Sequence, residues 1–434
     1  MSIIAKITSI QTRHQAALLL VASFLILFPF RRFWEIPFAL MALLGLLILA
    51  VQARHLWQRP DIKIFTLIFA AFWVPMLISL LGAVNPERSL TSTLAFARLY
   101  PAGIFIMVAM AVPGAPEKLL RICAWVLLAW VADALLQIAT GTNILGYTAP
   151  GGRINGFFGS LRPELGVYLP ALSPLLLVYA RRFWPPILQI GLVVALTLVV
   201  FMAGSRNGWI MFALVLAGLA AWIIWQEKKS ILPWLALATL LAIGSLAGAY
   251  SLSQPFANRV DVSLTAFRGG VESFNVASAQ RVTIWQTAGR MLADQPINGI
   301  GARGFRYAYR DYADPEQDPF IQDPNELGAT HPHLLILDIG AETGVIGLAG
   351  FAFALVILIR TWRQSRLRLH QLPYALAMLA VFFPLNTSYA IYASDWSAFC
   401  FWLTALFCAT PMGYIKQKPA DMAAGPNNLP EQVR

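Results

Sequence analysis

The chain lacks most of what a water-soluble protein needs. Only 12% of its 434 residues are charged and 58% are apolar, far from the roughly 25% charged make-up of a soluble domain; a soluble enzyme is excluded first. Cysteine is scarce, and Cys123, Cys400 and Cys408 all fall in apolar segments, which indicates neither a disulfide framework nor a thiolate metal site. No basic run exceeds two residues, so the formal charge of +11 does not indicate a nucleic-acid partner. That charge belongs instead to membrane orientation and anionic ligands. A small-residue cleavage site after residues 16–30 is also missing, so this stretch reads as an uncleaved first span.

What the chain does have is apolar runs, at residues 16–30, 34–51, 64–83, 93–112, 119–138, 165–179, 187–203, 209–225, 231–251, 334–358, 374–385 and 396–414. A bilayer span needs ~20 such residues, so the expected fold is an all-α polytopic membrane protein of about twelve transmembrane helices. Lys6, Lys63, Lys118, Lys228, Lys229, Lys416 and Lys418, all the lysines of the chain, fall in the terminal stretches or the even-numbered loops. The positive-inside rule makes those cytoplasmic, both termini included. The expected organisation is nine spans with short loops over 1–252, a large outer loop over 253–332, three spans over 333–415 and a disordered cytoplasmic tail over 416–434.

The outer face carries no lysine. Its basic residues are Arg31, Arg32, Arg88, Arg153, Arg162, Arg206, Arg259, Arg268, Arg281, Arg290, Arg303, Arg306 and Arg310, joined by Arg98 from inside the fourth run. Lysine avoidance outside explains part of this bias; the sharper reading is a phosphate-binding face, because guanidinium is permanently charged and matches phosphate oxygens in pairs. Arg206 stands in the tight turn Gly204-Ser205-Arg206-Asn207-Gly208, well placed for such a role.

The outer loop is too long to be a connector. Residues 278–293 carry a helical pattern through Val282, Trp285 and Leu292, with Arg281 and Trp285 on one face. Asp311, Asp314, Glu316, Asp318, Asp323 and Glu326 match no calcium-loop spacing and read as a solvated acidic lip. Gly299-Ile300-Gly301-Ala302-Arg303-Gly304 is a literal GxGxxG, but a helix rather than a strand precedes it, so it is not a dinucleotide fingerprint.

Two histidines of five, His331 and His333, stand on the outer side, where the loop re-enters the membrane. A metal pair needs a third ligand that is not at hand. A general base needs a neutral imidazole, and surrounding arginines hold it unprotonated; a cap of the tenth span is the plain alternative. Asp133, Asp338 and Glu342 lie within spans, where ionisable groups are functional candidates or are paired; ion pairing of Asp338 and Glu342 with Arg98 or another arginine is the expectation.

Three stretches taken together are similar to the O-antigen ligase and polymerase superfamily. They are His333 followed by Glu342-Thr343-Gly344-Val345-Ile346-Gly347, the turn Ala203-Gly204-Ser205-Arg206, and Gln280-Arg281-Val282-Thr283-Ile284-Trp285 leading to Pro296-Ile297-Asn298-Gly299-Ile300-Gly301. With Arg153-Ile154-Asn155-Gly156 ahead of them, the likeness runs in order from Arg153 to Gly347. Leu334 after the histidine departs from the family's small polar residue, and His331 offers a second candidate; spacing to Gly344 favours His333.

The resemblance implies a GT-C-like glycosyltransferase of the bacterial inner membrane, with the large loop and the active site periplasmic. Its donor is an undecaprenyl-pyrophosphate-linked glycan and its acceptor is lipid A–core, among membrane lipids, with no cofactor and no metal. The implied catalytic residues are His333, Arg206 and Arg281. Arg153, Arg303, Arg98, Trp285 and His331 are the implied substrate-binding residues. A polymerase of the same superfamily is the alternative, and a lipid-linked glycan or other solute transporter using Arg98, Asp133 and Glu342 as a charge path is the second.

Overall fold

A computed structural model of the chain describes residues 3–160, 164–227, 232–267, 269–323, 325, 327–365 and 368–415. The expectations for Arg162, Lys228, Lys229, Arg268, Glu326, Lys416, Lys418 and the tail lie outside the described residues. The chain runs through α1 (Ile3–Leu27), α2 (Glu35–Leu56), α3 (Pro60–Ser79), α4 (Pro86–Ala97), α5 (Leu99–Met110), α6 (Ala115–Thr140), α7 (Leu165–Phe183), α8 (Pro186–Met202), α9 (Arg206–Glu227) and α10 (Leu232–Leu252). The loop over 253–332, expected from the sequence to lie outside and called the outer loop for that reason, holds α11 (Gln254–Thr265), α12 (Gly270–Ala277), α13 (Arg281–Asp294) and α14 (Phe305–Tyr312), and α15 (Leu335–Gln364), α16 (Arg368–Val381) and α17 (Ser394–Ile415) complete the described order. Among the described residues there is no β-strand, only an isolated bridge between Thr142 and Thr148.

Each apolar run of the sequence falls on these helices, residues 93–112 being shared by α4 and α5 across Arg98. Among the described residues, six segments are both long and apolar enough to cross a membrane: Arg31–Leu56, Pro60–Gly82, Pro86–Met110, Ala115–Thr140, Arg206–Gln226 and Leu335–Gln364. Ala236–Ser251 with Gln254–Thr265, bent by 108°, makes a seventh if counted as one broken span. The expected twelve is therefore not reached by length and composition. The shortfall has local causes: α16 is only 14 residues long, and α7 ends in Arg181-Arg182. Leu43, Leu46 and Leu47 of α2 are more than half exposed, as a lipid-facing stripe requires.

α7 is the centre of the bundle. Every residue from Leu165 to Ala180 is buried, and α6, α8, α9 and α16 pack around it; a helix apolar on all sides is stable only when enclosed. At Gly208 of α9 a Cβ would lie 1.8 Å from the Gly166 carbonyl. Only glycine permits that crossing, and it seats the start of α9 against α7.

The outer loop is folded. Ile284, Ala288, Met291, Ile300, Phe305, Ala308, Tyr309, Ile321 and Ala329 form a small core of their own, closed from below by Ala341 of α15. The expected helix over 278–293 is α13. The acidic lip needs one correction: Asp318 is fully buried, accepting from the Tyr309 hydroxyl at 2.7 Å and from the Phe320 N–H at 2.8 Å, because a turn inside a small core needs a buried acceptor for its amides. Asp311, Glu316 and Asp323 are exposed.

One backbone joint ties this loop to the membrane bundle. α15 is interrupted at Gly344, with φ 62°, and the Pro296–Gly301 turn fills the interruption. Val345 and Ile346 donate to the Pro296 and Ile297 carbonyls at 2.8 and 3.3 Å, and Ile300 and Gly301 donate to those of Ala341 and Glu342 at 2.9 and 3.1 Å. The GxGxxG is thus a docking turn: at Gly299, φ 68°, a Cβ would lie 2.5 Å from the Glu342 backbone.

Candidate active site

The site is assembled from the turn before α9, the outer helices, the His-Pro-His entry to α15 and the segment between α16 and α17. Ser205 accepts the Gly208 N–H at 3.2 Å and so caps α9, projecting Arg206 from its first turn. Arg206 Nε donates to Ser263 Oγ of α11 at 2.9 Å, and a second guanidinium nitrogen donates to the Ala277 carbonyl at the end of α12. Ile154 N–H donates to the Met202 carbonyl at 3.2 Å, which brings the exposed Arg153 beside this turn. Arg259 of α11 donates to the Gly151 and Gly152 carbonyls at 2.5 and 3.4 Å. The charges of Arg153, Arg206, Arg259 and Arg281 act on one another, and among the described residues the only ion pair is Arg59 with Asp61. Among the described residues no carboxylate pairs with any of these four arginines, so the cluster concentrates positive charge.

Arg281 opens α13 behind two residues in left-handed backbone, Ala279 (φ 60°) and Gln280 (φ 61°). Its guanidinium donates to Thr387 Oγ1 at 2.9 Å. Burial and the neighbouring Arg206 pull its pKa below the usual arginine value, although it stays charged at neutral pH.

The two histidines face each other with ring centres 3.7 Å apart. His331 Nε2 lies 3.2 Å from the Ser388 carbonyl and Nδ1 lies 3.0 Å from the Thr330 hydroxyl. A carbonyl can only accept, so the ring proton is on Nε2 and both nitrogens are engaged. His333 differs. Its backbone is left-handed, φ 49°, and its buried Nδ1 has no hydrogen-bond partner among the described residues. Burial, then the charge of Arg281, lower the His333 pKa to about 4, against a weaker upward pull from the Ser388 and Thr387 backbone. Burial, His333, Arg303 and Arg281 lower that of His331 to about 3, opposed by the Ser388 carbonyl. Both imidazoles are neutral at pH 7, and only His333 has a nitrogen uncommitted.

Of the residues expected from sequence, Arg153, Arg206, Arg281, His331 and His333 are brought together, with Arg303 acting on His331. Trp285 packs toward Phe274, ring centres 6.4 Å apart, and among the described residues its Nε1 has no partner. Arg98 stands elsewhere, donating to Ser394 Oγ, with its guanidinium 5.9 Å from the Phe38 ring. The expected arginine pairing of Asp338 and Glu342 is corrected. Asp338 accepts from the Ile391 N–H at 2.7 Å and Glu342 from the Arg303 N–H at 2.6 Å. Backbone amides released by the irregular segments reach these carboxylates where a guanidinium does not. Asp133 accepts from Asn143 Nδ2 at 3.2 Å and the Ile144 N–H at 2.9 Å, which holds a loop; no hydrogen bond among the described residues links it to Arg98 or Glu342.

Sequence reasoning missed the hub of the site, Asn207 with Asn386-Thr387-Ser388. Asn207 Nδ2 donates to Asn386 Oδ1 at 3.1 Å and to Ser388 Oγ, and its Oδ1 accepts from the Thr387 N–H at 3.0 Å. Asn386 in turn accepts the Leu335 N–H on its carbonyl at 2.9 Å. The available signal was a run of three polar residues between two apolar stretches.

The fold and this site define a multi-pass helical membrane protein with an arginine- and histidine-lined site at the start of its α9, α13 and α15 helices. Residues 190–352 match the family model described as O-Antigen ligase. The match covers somewhat more than a third of the chain, contains Arg206, Arg281, Arg303, His331 and His333, and shows the superfamily resemblance read from the motifs. No curated protein matches the chain.

Proposed function

We propose that the chain is an O-antigen ligase, transferring a glycan from undecaprenyl pyrophosphate to a sugar hydroxyl of lipid A–core at the periplasmic face of the inner membrane. The observation that carries this reading is the neutral His333, its Nδ1 without a partner among the described residues, beside arginines that no described carboxylate pairs with. In one displacement, an acceptor oxygen bonds to the anomeric carbon as the bond from that carbon to the pyrophosphate oxygen breaks, inverting the centre. The hydroxyl proton passes to His333, and the electron pair of the broken bond leaves with pyrophosphate, whose growing charge Arg281, Arg206 and Arg153 receive. An anion bound there also offsets the field of Arg281 and raises the basicity of His333 when it is needed.

About twelve spans, cytoplasmic termini and a periplasmic 253–332 loop complete the reading. Fixed guanidinium groups take the part of a divalent cation, so we expect transfer to persist in excess chelator; complete loss restored by magnesium would overturn metal independence. Among the described residues no three His, Cys, Asp or Glu side chains are placed to hold a metal ion.

The test mixes purified wild-type or His333→Ala protein with undecaprenyl-pyrophosphate glycan and glycan-free lipopolysaccharide, with chelator present, and follows the lipopolysaccharide on a gel. A shift with wild type alone supports ligation. Longer chains on the carrier without a shift would replace it with polymerase, and no product of any kind would reopen the transporter reading.

A further inference from the structure

A second concentration of positive charge lies apart from the arginine cluster. Between α4, the beginning of α17 and the outer loop is a cavity of about 270 Å³ lined by Arg88, Ser92, Arg98, Arg303, Tyr392 and Ser394, with Asp395 its one carboxylate. Arg98 Nε is buried without a partner among the described residues, and none of the three guanidinium groups has a carboxylate within ion-pair distance there. Asp395 accepts from the Tyr168 hydroxyl at 3.4 Å. Three cations against one carboxylate leave a surplus of two positive charges, beside the Ser92 and Ser394 side chains, whose hydroxyls can donate to an anion.

We propose that this cavity binds the phosphate monoester of a membrane glycolipid, holding the acceptor while the arginine cluster holds the donor. The proposal rests on the ligase reading for the word acceptor, though not for the anion site itself. The charge surplus selects the ligand: a monoester carries about −1.5 to −2 at neutral pH and neutralises the cavity, whereas a phosphodiester carries a single charge. The cavity is also smaller than the ~300–1,000 Å³ that enclose a drug-sized molecule, so it suits one headgroup and not a glycan. Arg303 gives the placement its meaning. It lines this cavity while its backbone N–H is tied to Glu342 at 2.6 Å and its charge reaches His331. A lipid anchored there shares Arg303 with the electrostatic surroundings of His331.

The test uses the full chain in nanodiscs and measures binding of fluorescent dioleoyl phosphatidic acid, with phosphatidylglycerol and dioleoylglycerol as the single-charge and neutral comparisons. Wild type should prefer the monoester, and Arg98→Gln should weaken it at least tenfold. Arg88→Gln, at an exposed position that tolerates change, should do the same with an unaltered melting temperature. Equal binding of phosphatidic acid and phosphatidylglycerol, or unchanged binding in both variants, would overturn the proposal. Inorganic phosphate binding as tightly as the lipid would assign the cavity to free phosphate instead and overturn the glycolipid. In transfer assays, Arg88→Gln should raise KM at least tenfold for a phosphorylated acceptor and leave a dephosphorylated one unchanged. Arg88- and Arg98-dependent monoester binding without any transfer would sink the ligase reading and keep the anion site.

Discussion

The rings of His331 and His333 stand 3.7 Å apart, centre to centre, on either side of a buried Pro332, yet their hydrogen bonding divides the pair. His331 is held through both nitrogens by Ser388 and Thr330, while His333, in left-handed backbone, lies under the charge of Arg281 and has no partner for Nδ1 among the described residues. Non-glycine residues in that region are strained and cluster where a fold over-determines them.

This asymmetry makes the first prediction. His333→Ala should lower transfer by about 10²–10⁴, the usual worth of a general base, and His331→Ala by about tenfold through loss of positioning. Initial rates with saturating donor measure both. A larger loss in His331→Ala would move the base to that residue.

The pH dependence follows from burial and from Arg281. A lowered pKa keeps His333 neutral down to about pH 4, so kcat/KM should stay level from pH 8 to about 5 and fall below that, where an unperturbed histidine would already decline near ~6.5. The groups facing it are His331, Arg281 and the Thr387 and Ser388 backbone. Arg281→Gln removes a positive charge and should move the acid limb to higher pH, which a rate profile over pH 4–8 would detect.

Charge alone is not expected to satisfy the arginine positions. Arg281→Lys and Arg206→Lys should each lower kcat by about 10²–10³, the cost of losing a preorganised donor at developing charge, since an ammonium does not reproduce the planar fork. Arg206 also braces α11 and α12 through Ser263 and Ala277, so its variant should melt lower as well. Unchanged kcat in Arg281→Lys would remove pyrophosphate stabilisation from its role.

Asn207 holds the α16–α17 segment against α9 through buried hydrogen bonds. Asn207→Ala leaves the Thr387 N–H without its acceptor and takes one donor from Asn386 Oδ1, which still accepts from the Ser388 N–H at 2.9 Å, and should cost about 1–3 kcal/mol for the orphaned amide. Activity should fall together with melting temperature. Asn207→Asp, which keeps the acceptor for Thr387, should recover part of both.

The joint between the outer loop and α15 is testable by one methyl group. At Gly344 a Cβ would stand 2.3 Å from the Ile297 carbonyl, so Gly344→Ala should reduce the yield of monodisperse protein sharply. Gly289→Ala, where nothing lies within 4 Å, should be neutral or stabilising by up to about 1 kcal/mol. Size-exclusion profiles in detergent compare the two.

The apolar runs alone marked the long helices of the bundle, because a ~20-residue apolar stretch has few other stable forms in a bilayer, although they did not settle how many of them span it. The amphipathic spacing of Val282, Trp285 and Leu292 likewise announced α13. The arginine bias and the paired histidines pointed to residues that the fold brings together, since residue type carries charge and hydrogen-bonding capacity before any folding. What sequence spacing did not carry is contact between distant segments. Asn386, Thr387 and Ser388 are some 180 positions from Asn207, and Arg259 meets the turn at Gly204 only through the bend after α10. Asp338 and Glu342 found backbone amides in place of arginines because the broken helix at Gly344 and the loops beside it expose N–H groups at that depth. Which histidine is free, and which of the arginines share one field, were decided by tertiary structure, because hydrogen-bond geometry and burial set a proton affinity and neither is a property of one residue.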